Sequence, residues 1–191
     1  MAIGTLEDLF VSGLRDIYYA EKQIVKTLGQ HMKKAQSDRL REALEKHRGE
    51  TETQIGRLEQ VMEMLDQKPR AKKCPGIEGI LAEAKEHLEE IDDEDVRDAA
   101  LIGAAQAVEH YEISRYGTLI AWARHLGHED AAEMLEETLS EEKATDELMT
   151  ELAETEINIE AADEAAEDDE EEDMDEEEEE APTRSRRKVA G

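Results

Sequence analysis

Residues 102–123 read IGAAQAVEHYEISRYGTLIAWA. Ile102, Ala105, Ile113, Tyr116, Ile120 and Ala123 recur at three- and four-residue spacing, so a helix places them on one face, and Glu109 falls in the middle of that face. A carboxylate inside an apolar stripe costs several kcal/mol of lost hydration unless something compensates it. The stretch therefore predicts a buried helix that carries a polar group for a purpose, running from about residues 96–99 to Gly127, a residue suited to the left-handed C-terminal cap.

Three further stretches repeat the pattern. Before it, Leu6, Phe10, Leu14, Ile17, Glu21, Ile24 and Leu28 form a stripe opened by Thr5 with Asp8 three residues on, the spacing of a capping box. Ser37 is the N-cap expected for the next, which carries Leu40, Leu44, His47, Thr51, Gln54, Leu58, Val61 and Leu65 and stops before Pro69. After Gly127 come Ala131, Leu135, Leu139, Glu142, Met149 and Leu152. No stretch shows the two-residue alternation of a half-buried strand, so the domain is expected to be all-α.

The connections narrow the topology. The first and second stretches are joined by a few residues, as are the third and fourth, so each pair is expected to form an antiparallel hairpin. Between the hairpins lie about thirty residues, Gln67 to Val96, with a Lys-Lys-Cys-Pro-Gly turn and a short amphipathic helix from about Ile77 to Ile91. Two short hairpins around one long crossover is the connectivity of a ferritin-like four-helix bundle with a short fifth helix in the crossover.

Within a hairpin, residues equally far from the turn lie side by side. Glu21 and Glu50 are equidistant from the Lys34–Ser37 turn, Glu112 and Glu142 are equidistant from Gly127, and Glu109 lies less than one turn from that level. His47 with Glu50, and Glu109 with Glu112, are spaced i, i+3 and share a helix face. The four helices thus aim acid at one place halfway along the bundle. Bare carboxylates there would repel each other, so the cluster calls for protons or cations. An oxygen-rich donor set with one imidazole suits iron or manganese rather than zinc. The predicted ligands are Glu21, His47, Glu50, Glu109, Glu112 and Glu142, around two iron or manganese ions.

Four segments, LRDIYYAEKQ (14–23), HRGET (47–51) with Gln54, AVEHYEI (107–113) and TLSEEKATDE (138–147), occur in order and strongly resemble the YciE/YciF family of ferritin-like proteins. The resemblance spans about residues 3–155. It implies a rubrerythrin-like fold, a link with bacterial stress responses, a di-metal site and a homodimer; it implies no particular enzymatic activity. Ferritin-like di-iron proteins typically carry Glu-x-x-His on two helices. Here the second helix has the reversed His47-x-x-Glu50, and the fourth has Leu139 where a histidine would correspond, leaving Glu112 or Asp146 to take its place.

Composition bounds the rest. The chain of 191 residues has a formal net charge of -29, with 52 acidic and 23 basic residues, of which residues 154–191 hold 18 and 4. Residues 156–191, almost wholly Asp, Glu and Ala before a basic end, have little apolar surface to offset the entropy of ordering and are expected to be a disordered acidic tail, with residues 1–155 as the bundle. The folded part is acidic in its own right, which disfavours nucleic acid and anionic lipid and suits a salt-rich cytoplasm. Cys74 stands alone, so no internal disulfide or cysteine-rich metal site forms. No transmembrane run and no basic region followed by an apolar leader occur, so a cytoplasmic location is expected. His110 is expected on the helix surface, Tyr18 and Tyr116 in the core or bonded to a ligand, and Met62, Met64, Met134 and Met149 as core filler or a packing surface. The function expected is a stress-associated protein whose metal pair reacts with peroxide or oxygen; the alternative is metal sequestration or partner binding without catalysis.

Overall fold

The computed structural model describes residues 3–162, and among these only helices and their connections occur. In chain order they are α1 (Leu6–His31), α2 (Asp38–Met64), α3 (Pro75–Glu90), α4 (Glu94–Leu126) and α5 (Glu129–Leu152), the last continued by a π-helical stretch, Ala153–Ile157, and helical residues to 162. α1 and α2 form one hairpin, α4 and α5 the other, and the hairpins pack through α1 on α4 and α2 on α5. The crossover carries α3 onto α4 at the edge of α1.

Local chemistry sets the helix ends. Thr5 accepts from the Asp8 N–H at 3.0 Å while the Asp8 carboxylate accepts from the Thr5 N–H at 3.1 Å, the reciprocal capping box read from the sequence. Ser37 Oγ accepts from the Leu40 N–H at 3.3 Å, and Pro75 occupies the first turn of α3, where a missing N–H costs nothing. α4 begins slightly earlier than its apolar stripe suggests, at Glu94, because Asp93 accepts from the Val96 N–H at 2.7 Å. Gly127 ends it at φ 82°, a left-handed conformation that suits glycine.

Between the hairpins runs one apolar core, with Phe10, Leu14, Leu40, Leu44, Leu58, Leu101 and Leu135 almost wholly buried. At Gly13 the approach of α4 is so close that a Cβ would stand 2.8 Å from Leu119 Cδ2. Four stripe positions differ from expectation. Leu6 and Leu65, at helix ends, are half-buried, as are Ile113 and Leu139, where Glu112 and Thr138 point inward instead. The inward face of α4 is set by Glu109, Glu112 and Tyr116, and that of α5 by Thr138, Glu142 and Thr145, successions of three and four residues that leave 113 and 139 on the flank. Met62 and Met149 are core residues; Met64 is exposed and Met134 half-buried.

The expected boundary at 155 falls within the helical stretch that prolongs α5. Ile157 is buried, and Glu156 accepts from Arg39 at 2.6 Å, tying this stretch to the start of α2. The acidic tail lies, from residue 163 onward, outside the described residues.

Buried Asp98 of α4 accepts from the backbone N–H groups of Gln36, at 2.9 Å, and Ser37, at 2.6 Å, and so holds the α1–α2 turn against the other hairpin. Hydrogen bonds to a charged group are individually among the stronger ones, and removing the acceptor leaves two N–H groups without it. Replacing Asp98 by Ala is expected to lower stability by about 1–3 kcal/mol, read as a reduced urea midpoint with an unchanged slope, and Asp98→Asn to recover part of the loss.

Candidate metal centre

Halfway along the bundle, α2, α4 and α5 bring together His47, Glu109, Glu112 and Glu142. Each offers a donor atom within 4.8 Å of those of the others, and all four residues are buried. His47 Nε2 lies 2.8 Å from Glu109 Oε1, a close approach without hydrogen-bond alignment. The level inferred from distance to the turns is the level at which they meet.

Glu21 and Glu50 border this group. Glu21, on α1, is wholly buried; one oxygen accepts a short hydrogen bond from the Tyr116 hydroxyl and the other has no partner. Its carboxyl feels the charges of Glu142 and His47 and meets Glu112 directly. Glu50, on α2, is half-buried: Oε1 pairs with Lys46 Nζ at 2.7 Å, while Oε2 is buried and unpartnered. Asp146 stands apart, with Oδ2 3.2 Å from His110 Nε2 and Oδ1 accepting from Gln106 at 3.4 Å. His110 is exposed, as its position next to Glu109 implies.

A metal ion fits this donor set on one observation. Across the six residues ten side-chain oxygen and nitrogen atoms are buried without a hydrogen-bond partner. Buried polar atoms in folded proteins are normally satisfied, and each orphan costs about 1–3 kcal/mol. Five carboxylates and an imidazole left this way form a set of lone pairs that metal ions satisfy. Glu109, Glu112, Glu142 and His47 would hold them at the centre, with Glu21 from the α1 side and the free oxygen of Glu50 from the α2 side.

Burial governs the protonation of the centre. It pushes Glu21 up to about 8, with the Glu142 charge adding to the effect and the Tyr116 hydroxyl opposing it. Burial likewise pushes Glu109 up to about 8, and raises Glu112 and Glu142 well above the ordinary carboxylate range, helped for Glu112 by the Glu21 charge and for Glu142 by its contact with Glu109. Without metal, the centre therefore holds protons at neutral pH, and cations that bind there displace them.

Neighbouring groups keep the helices in register. Gln54 lies beside Glu142 and donates to Glu141 at 3.1 Å. Arg57 grips the same Glu141 with both terminal nitrogens, one bond at 2.7 Å, and reaches Thr138 at 3.3 Å. This clamp ties α2 to α5 on the flank of the centre, and it was not read from the sequence. Its signal there is modest: Arg57 follows Gln54 by three residues, and Glu141 adjoins Glu142. Cys74 is buried, its sulfur 3.0 Å from the Tyr111 hydroxyl.

Comparison with known proteins places this chain in a family. Residues 5–162 match the family described as Domain of unknown function (DUF892). The chain is 45% identical to Protein YciF of Escherichia coli (strain K12) over 166 residues, 86% of this chain and 100% of that protein. Its fold matches the crystal structure of the E. coli stress protein YciF with a TM-score of 0.78 at 45% identity, covering 82% of this chain and 99% of that one. YcfI of Rhodopseudomonas palustris matches with a TM-score of 0.77 at 51% identity, over 78% of this chain and 94% of the other. Among the described residues, no helix is long and apolar enough to cross a membrane.

The raised carboxyl groups give the metal-free protein an unusual pH dependence. Glu21 and Glu109 titrate near 8 when folded against an ordinary value of 4.5, so between these values the native state binds more protons than the unfolded chain, and stability falls as pH rises through the window. Thermal melts of chelator-treated protein should show a higher melting temperature at pH 5.5 than at pH 8. The difference should shrink in the double variant Glu112→Gln, Glu142→Gln; an equal slope in both proteins would place its origin elsewhere.

Proposed function

The chain belongs to the DUF892 family, which includes the stress protein YciF, and from that premise we propose that its bundle binds two transition-metal ions, iron or manganese, in a carboxylate-rich centre that reacts with peroxide or oxygen. The observation that carries this reading is the set of buried, unpartnered donors converging from α1, α2, α4 and α5. Oxygen donors outnumber nitrogen donors, which favours iron or manganese over zinc or copper. Such a pair supplies electron exchange with the oxidant once bound.

The chain's own residues do the rest. Glu109, Glu112 and Glu142 come from two helices of one hairpin and His47 from the other, so binding holds the hairpins together. Glu21, oriented by the Tyr116 hydroxyl, and Glu50, held on one side by Lys46, border the centre from the α1–α2 hairpin. The surrounding leucines and isoleucines exclude bulk water and strengthen each charge–metal attraction. The half-buried carboxylate of Glu50 would be the least confined of the donors, because one of its oxygens pairs with Lys46 at the surface.

A second reading is a metal-holding stress protein without catalysis. It is favoured by the depth of the ligands: His47, Glu109, Glu112 and Glu142 are all at most 2% exposed, and the void that touches His47 and Glu109 is far too small for an organic substrate.

Metal analysis of the purified chain supplied with iron or manganese, followed by measured consumption of peroxide and of dioxygen, separates the readings. Two ions per chain with saturable loss of either oxidant supports the first, and two ions with turnover of neither leaves the second. Glu109→Gln and Glu142→Gln should each prevent full loading. Tyr116→Phe, which removes the bond orienting Glu21, should weaken metal retention about 10- to 100-fold in chelator competition without unfolding the bundle. Full loading of the Glu142 variant would remove that residue from the ligand set.

A further inference from the structure

We propose that a narrow apolar passage between α1, α3 and α4 delivers dioxygen to the metal centre, with Leu81 of the crossover helix as its gate. This rests on the metal-centre reading above and names the oxidant that the site admits.

Two adjoining cavities define the passage. On the surface, a groove of about 380 Å³ runs between α1 and α3, bordered by Tyr19, Gln23, Lys34 and Lys85 among others. Its lining includes Thr27, His31 and Leu81, and these three residues also line a second, much tighter void of about 10 Å³. That void is lined as well by Leu28, Ala105, Val108, His47 and Glu109. The groove and the throat thus share a rim, and the throat abuts two of the four central ligands.

The lining decides what can pass. Between the rim and the ligands every residue is formally uncharged: aliphatic side chains predominate, Thr27 is neutral, and burial with the nearby Lys34 charge pushes His31 down to about 4, so its ring carries no proton charge at neutral pH. About one water-sized body fits the free space. A hydrated divalent cation is too large for it and too costly to strip of water. Peroxide would lose its hydrogen bonds to water along an aliphatic wall that returns few of them. Dioxygen, small and apolar, loses nothing by entering. Leu81 is the natural gate because it is half-buried at the rim and belongs to α3, which packs on α4 and the edge of α1 rather than inside the four-helix core.

The test uses the full-length chain and two readouts. In protein freed of paramagnetic metal by chelation, dissolved dioxygen should broaden the methyl resonances of Leu28 and Val108 more than those of Val11 and Ile120, residues of like exposure away from the passage. Leu81→Trp should abolish that excess and Leu81→Ala should increase it. In protein loaded anaerobically with ferrous iron, Leu81→Trp should slow oxidation by dissolved oxygen at least tenfold at unchanged iron content. No excess broadening in the wild-type chain, or a tryptophan variant that oxidises as fast as wild type with full iron, overturns the passage. Failure of the wild-type chain to load iron overturns the metal reading instead, and the broadening measurement still decides the route.

Discussion

Five glutamates and a histidine converge where the four long helices meet, and the energetic demand of that cluster organises the surrounding structure. Burial raises the carboxyl groups of Glu21, Glu109, Glu112 and Glu142 far above their ordinary range, so these four hold protons or cations and do not stand as bare anions. A cluster of this kind persists only in a frame rigid enough to stop its helices from sliding apart to hydrate it. The remaining features of the bundle supply such a frame: capped helix ends, a continuous aliphatic core above and below the centre, and polar ties between hairpins.

Those ties are placed at different levels. At the turn end, Asp98 of α4 binds the backbone of Gln36 and Ser37 and locks the α1–α2 turn to the second hairpin. Beside the centre, the two-pronged contact of Arg57 with Glu141 joins α2 to α5. The prolonged end of α5 adds the pairing of Glu156 with Arg39. Each tie crosses between hairpins, the interface that the candidate donors also span. The fold and the centre are therefore mutually dependent: the frame keeps the donors dry, and ions bound by those donors would cross-link the frame.

The donors are also arranged unequally. Glu21 is wholly buried and fixed by a tyrosine hydroxyl, whereas Glu50 shares one oxygen with a surface lysine. Only one imidazole is present, and no histidine from α5 replaces the second that better-known di-iron proteins carry. Anionic donors would lower the potential of a bound metal relative to neutral ones, so under the proposed function this composition would favour the oxidised ion.

Much of this was legible in the chain itself. Apolar periodicity, two short connections and one long one lead to the ferritin-like bundle, and equal distance from the turns puts the glutamates at one level, since a helix rises by a constant amount per residue. Thr5, Ser37 and Gly127 mark helix ends by local chemistry that needs no tertiary partner. Rotation about the helix axis is another matter. One position is a turn of about 100°, so the choice of Glu112 over Ile113, or Thr138 over Leu139, as the inward residue depends on how neighbouring helices dock. The same docking set Glu50 at the edge, aimed Tyr116 at Glu21, and laid α3 across α1 and α4 to leave a narrow void beside His47 and Glu109. Spacing along one chain carries height, and only packing between helices carries direction.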